Sequence, residues 1–154
     1  MKNSKLILFF LILFSFVSFA QAQKSNKLDT FGYYYIQNPS KNFKDISEIH
    51  LSGDYGSTLK PPIFGLIRLK NKKATDFHLL KPFQKGKYIS FSTKSVGGIS
   101  YQFSGGFTKL YDKVVETRPG TTPQVIVLRG NLIKLKGKRK IAGQSVGFIY
   151  FAGD

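Results

Sequence analysis

From residue 30 onward, apolar and polar residues alternate with a period of two through most of the chain, and no segment sustains a 3.6-residue period. A period of two places successive side chains on opposite faces of a strand. Ile49 and Leu51 fall on one face, with Glu48 and His50 on the other. Ile63, Ile67 and Leu69 alternate with Phe64, Leu66 and Arg68, and Phe77 and Leu79 mark a short strand expected to stop before Pro82. Phe31, Tyr33, Tyr34 and Tyr35 form a dense aromatic run up to Ile36. Asn38-Pro39-Ser40 breaks that run and is positioned to cap a short helix over Lys41 to Ile46.

Two hairpins are the clearest elements. In the first, Ile89, Phe91 and Thr93 alternate with serines, as do Ile99, Tyr101 and Phe103 with Ser100 and Gln102. A two-residue Gly97-Gly98 turn would set Val96 opposite Ile99 but would leave Phe91 sharing a face with Ser100 and Ser104. A three-residue turn of Val96, Gly97 and Gly98 pairs Ser95 with Ile99, Thr93 with Tyr101 and Phe91 with Phe103. A one-residue slip exchanges the faces of a strand, so the longer turn is expected. The second hairpin turns at Gly137-Lys138. Pairing Lys136 with Arg139 then sets Ile133 opposite Ala142, Val127 opposite Phe148 and Val125 opposite Tyr150. On the other face, Ile126, Leu128 and Leu132 meet Ile141 and Ile149, with Gly130, Gly143 and Gly147 available for bulges or coiling. Residues 112–123 read as a polar loop containing Arg118-Pro119-Gly120. Seven or eight short strands joined by turn signals predict an antiparallel β-sandwich or a small up-and-down β-barrel.

The first residues change this picture. Lys2 and Lys5 precede an apolar run from Leu6 to Phe19, broken only by Ser15 and Ser18, and Ala20-Gln21-Ala22 supplies a small-x-small site. That is the three-region pattern of a cleavable secretory leader. The run is also short of the roughly 20 residues a membrane-spanning helix needs. The expected division is therefore a signal peptide over residues 1–22 and a single all-β domain over residues 23–154. The mature chain carries no transmembrane segment in this reading. The chain has no cysteine, so the domain relies on packing rather than the disulfides common in small secreted folds. Export without cysteine points to a bacterial envelope, in the periplasm or outside the cell. An outer-membrane barrel would consume nearly the whole mature chain in eight strands of about ten residues.

Charge narrows the classes of partner. The chain holds 24 Lys and Arg against 8 Asp and Glu, a net charge of +16, and loss of Lys2 and Lys5 leaves +14. Such a surplus attracts polyanions, which in an envelope are lipid headgroup phosphates or acidic polysaccharide. No specific nucleic-acid partner is implied. The densest cationic cluster is Lys134, Lys136, Lys138, Arg139 and Lys140 at the tip of the last hairpin, the candidate anion-binding site. The same charges would also resist edge-to-edge aggregation.

Other chemistry is sparse, and no cofactor, metal or catalytic residue is assigned. Gly143-Gln144-Ser145-Val146-Gly147 matches the G-x-S-x-G pattern of hydrolase nucleophiles. That pattern requires a strand-turn-helix context and a later histidine, whereas here it falls inside a strand with no histidine after it. Glu48 with His50, and Asp76 with His78, each place a carboxylate and an imidazole on one strand face. They would form an acid-base or metal site only if their strands were neighbours and three or four ligands converged. Tyr33, Tyr34, Tyr35, Tyr88 and Tyr101 would make a stacking surface if they were exposed together. The expected function is that of an exported, non-enzymatic binding or accessory protein whose basic surface meets an anionic envelope component. The alternative is a lipocalin-like β-barrel carrier of a small apolar ligand, with Phe91, Phe103, Phe148 and Tyr150 lining a cavity. The tryptophan expected near the start of a lipocalin is absent, since the chain has no Trp.

Overall fold

Alternating side chains with one apolar face bury that face only if the sheet closes or is covered, and here it closes. A computed structural model describes residue 28 and residues 30–53, 63–71, 73–115 and 124–152. The expected leader over residues 1–22 and the segment Arg118-Pro119-Gly120 lie outside the described residues. The strands are β1 (Gly32–Gln37), β2 (Ile46–Gly53), β3 (Ile63–Leu69), β4 (Phe77–Lys85), β5 (Tyr88–Thr93), β6 (Ile99–Phe107), β7 (Leu128–Lys136) and β8 (Arg139–Phe151). Each pairs antiparallel with its neighbour in sequence, and β1 pairs with β8, so the eight strands form a closed up-and-down barrel. Of the two architectures expected from the alternation, the barrel is the one formed.

Eight strands enclose an interior that side chains can fill or that can hold one small ligand, and aromatic rings crowd it. Phe91 lies 5.4 Å from Phe103, which lies 5.7 Å from Phe148, ring centre to ring centre. Phe77 meets Tyr101 edge to face at 4.9 Å. Toward one end, Tyr34, Phe107, Tyr111 and Tyr150 form a second ring cluster. Ile49, Leu51, Ile67, Leu128 and Leu132 complete the buried set. Charged residues such as Arg68, Lys85 and Arg129 occur on the outer face. Among the described residues no helix is long and apolar enough to cross a membrane.

The two ends are closed differently. At the end formed by the turns after β1, β3, β5 and β7, a 3-10 turn at Lys41–Phe43 drives Phe43 fully into the core. The helix expected over 41–46 is thus shortened, because β2 begins at Ile46. The Gln144 side chain holds this loop in place: Ser40 N donates to its Oε1 at 2.8 Å and its Nε2 donates to Asn38 O at 3.1 Å. At the opposite end a one-turn helix, α1 (Tyr111–Val115), inserts Tyr111 and Val114. The Tyr34 hydroxyl donates to Thr30 O at 2.8 Å, and that of Tyr150 to Phe31 O at 3.1 Å. Those bonds tie the segment before β1 across the same end.

Three register details differ from expectation, and each is a bulge. In the first hairpin Val96 and Ile99 exchange backbone hydrogen bonds, as in a two-residue turn, yet Phe91 pairs with Phe103. An extra residue on the β5 side between Ser92 and Val96 reconciles the two. Both turn glycines have positive φ, 57° at Gly97 and 77° at Gly98, as a type I′ turn requires. In the second hairpin Lys136 pairs with Arg139 as expected, but a bulge at Ile141 sets Lys134 opposite Ala142 and Leu128 opposite Phe148. The expected pairings of Ile133 with Ala142 and Val127 with Phe148 are therefore displaced by one residue. The bulge brings Leu128 and Leu132 inward on the same side as Val146, Phe148 and Tyr150. Finally, β4 does not stop before Pro82. It bulges at Lys81, where φ is 49°, and continues to Lys85.

Candidate functional site

Chain reversal at one barrel end gathers cations that are far apart in sequence. Lys41 and Lys44 come from the β1–β2 loop, Lys70 and Lys73 from the β3–β4 loop, and Lys94 from the approach to the β5–β6 turn; all are exposed. The β7–β8 turn adds Lys136, Lys138, Arg139 and Lys140, also exposed. Gly137 N donates to Gly98 O at 2.8 Å, so the last two turns are fastened side by side. Two carboxylates at this end are already engaged. Asp45 Oδ2 lies 3.2 Å from Lys134 Nζ, and Asp76 Oδ2 lies 3.5 Å from Arg68 Nε.

Four of the five residues expected to bind anions therefore stand at the exposed tip. Lys134 does not. Its strand partners are Tyr101 and Ala142, and its ammonium turns over the barrel mouth, 5.6 Å from the Tyr101 ring centre and 3.4 Å from Asn42 O. Burial pushes the Tyr101 phenol up, with the Asp45 charge adding to the effect. Lys134 thus anchors the β1–β2 loop. The lysines of the other loops form the larger part of the basic end. Spacing alone could not show this, because no two of those loops are adjacent in sequence.

The two carboxylate-histidine pairs occupy one outer patch. Glu48 pairs with Arg68 across β2 and β3, and one turn of the pleat away His50 pairs with Leu66, which pairs with His78 on β4. Arg68 Nη1 lies 2.9 Å from Glu48 Oε1 and also reaches Asp76. The carboxylates thus face a guanidinium rather than an imidazole, and Leu66 stands between the histidines. Among the described residues no group of three or more metal-ligating side chains gathers. His50 is clamped by a stacked Tyr33, 4.4 Å away at 13°, and by the edge of Phe31. Burial holds its imidazole below the ordinary value, a shift that Glu48 opposes and Arg68 reinforces.

The remaining candidates separate. Alternation turns Tyr34 and Tyr101 into the core, leaves Tyr33 and Tyr35 half-buried on the outer wall, and exposes Tyr88 beside Phe83. They do not form one stacking surface. Residues 143–147 run as extended strand within β8, without the strand-turn-helix setting a nucleophile elbow needs. Phe91, Phe103, Phe148 and Tyr150, expected to line a ligand cavity, are each no more than 5% exposed; the three phenylalanines pack ring against ring. No protein-family model matches the chain, and comparison with curated proteins and with solved structures found no match.

Proposed function

We propose that the protein is an exported binding module that docks end-on against an anionic envelope component through the basic end of its barrel. The observation carrying this reading is the convergence of exposed cations from four separate turns around one barrel mouth, where both described carboxylates are engaged in ion pairs. A patch of one sign focuses potential and draws in polyanions. The ligand chemistry is a repeating phosphate, sulfate or carboxylate, as on a lipid surface or an acidic polysaccharide. Each phosphate-type contact releases counterions, so affinity falls with salt in proportion to the contacts made.

Substituting Lys136, Lys138, Arg139 and Lys140 together by Gln should flatten the salt dependence of binding to phosphatidylglycerol vesicles or to an acidic polysaccharide. The equivalent change of Lys85, Lys87, Lys109 and Lys113 at the opposite end should leave the slope intact. Equal slopes for the two variants overturn the reading. Comparing vesicles with polysaccharide identifies which polyanion is preferred.

A further inference from the structure

The barrel wall has a gap. Strands β3 and β4 pair at only two positions, Leu66 with His78 and Ile67 with Phe77. Beyond them Gly65 and Phe64 have no partner on β4, and β4 turns through its bulge at Lys81 and Pro82. Where the strands part, a cavity of about 510 Å³ opens on the outer wall. Its floor is apolar, made by Phe64, Leu66, Leu79, Leu80 and Pro82. Its rim carries His50, His78, Lys81 and Lys94, and among the described residues no carboxylate lines it. The nearby acids, Glu48 and Asp76, are turned toward Arg68. His50 lines it through its ring, which stacks on Tyr33, while its Nε2 is buried away from solvent.

An apolar hollow of this size with a few convergent polar groups is the usual form of a small-molecule site. A peptide strand added to the open edge fits less well. The bulge at Lys81 and the missing N–H of Pro82 are devices that blunt an edge against pairing.

We propose that this lateral cleft binds a single-chain carboxylate. The alkyl tail lies on the Phe64–Leu66–Leu79 floor, and the carboxylate meets the ammonium groups of Lys81 and Lys94. This site shares only Lys94 with the basic end and does not depend on the docking reading.

The test is titration of the purified protein with dodecanoate below its micellar concentration, followed by calorimetry and by NMR of the leucine methyl groups. The expected result is saturable one-to-one binding, with shifts confined to Leu66, Leu79, Leu80 and the His50 ring. Dodecanol, with the same tail and no charge, should bind at least tenfold more weakly. The variant Lys81→Gln, altered at an exposed position outside the basic end, should lose several-fold in dodecanoate affinity, and adding Lys94→Gln should bring the loss to at least tenfold. The Gln variant of Lys136, Lys138, Arg139 and Lys140 should bind dodecanoate unchanged. Equal affinity for acid and alcohol, shifts centred on the basic end, or no binding up to the solubility limit each overturn the proposal.

Discussion

Lys134 Nζ sits 3.2 Å from Asp45 Oδ2, joining the middle of the last hairpin to the loop before β2. The contact divides a cationic run that looks uniform in sequence into one structural member and four exposed ones. Lys134→Gln is therefore expected to leave the salt dependence of polyanion binding unchanged, whereas Lys138→Gln should reduce the slope by about one contact's worth, ~0.7–0.9 in log–log units. The Lys134 side chain is only 19% exposed and also reaches Asn42 O, so Lys134→Gln, which leaves these acceptors without their donor, should lower unfolding free energy by about 1–3 kcal/mol. Equal effects of the two substitutions on the slope would refute the division.

Gly105 and Gly130 face each other across β6 and β7, and the Phe103 ring lies over both. A methyl group at Gly130 would stand 2.6 Å from Phe103 Cζ and closer still to Ser104 O. Overpacking of this kind costs about 1–3 kcal/mol, so Gly130→Ala should lower the urea midpoint accordingly. At Gly106 an added methyl meets only Lys87 O, at 3.5 Å, and Gly106→Ala should change the midpoint little. Comparable losses at the two positions would show that the close approach is not the cause.

Much of this architecture was legible because alternation survives in the side chains that matter. Ile49, Leu51, Ile67, Phe91, Tyr101 and Phe103 all point inward as their spacing requires, and both glycine turns fall where the strands reverse. The bulges were not legible. At Ile141 the extra residue lets Leu132 and Phe148 share the lumen, a demand set by closure of the whole barrel rather than by the two strands. The basic end was visible only at its densest point, the last turn. Lys41, Lys70 and Lys94 join it through topology, and only closure between β1 and β8 brings the first loop beside the last hairpin.

Tyr34 offers a test of how the barrel end is sealed. Its hydroxyl donates to Thr30 O and lies 3.1 Å from the Tyr111 hydroxyl, deep among aromatic rings. Removing a buried hydroxyl that satisfies other polar groups costs about 1–3 kcal/mol. Tyr34→Phe should destabilise by that amount and speed hydrogen exchange at residues 30–31 and 111–114. A stability loss without faster exchange there would mean that the bonds do not hold the two segments down.

Acid should weaken the fold through His50. Burial keeps its folded-state value below the ordinary 6.5, so between those two values the unfolded chain binds the proton and the folded chain does not. Stability then rises with pH through that window and falls as pH drops through it. His50→Phe retains a ring against Tyr33 and removes the titration. The melting temperature of the parent protein should drop further between about pH 7.5 and pH 5 than that of the variant, given an unperturbed imidazole near 6.5. His78 and the carboxylates are common to both, so parallel curves would exclude His50 as the source.

An even number of strands running alternately up and down returns the chain to the side from which it set out. Residues 30–31 and residue 152 consequently lie at the mouth plugged by Tyr111, a full strand length away from Lys138. A surface tether or fusion partner joined directly ahead of residue 30 or directly after residue 152 would hold the molecule by its base, leaving the lysine-bearing crown pointed outward.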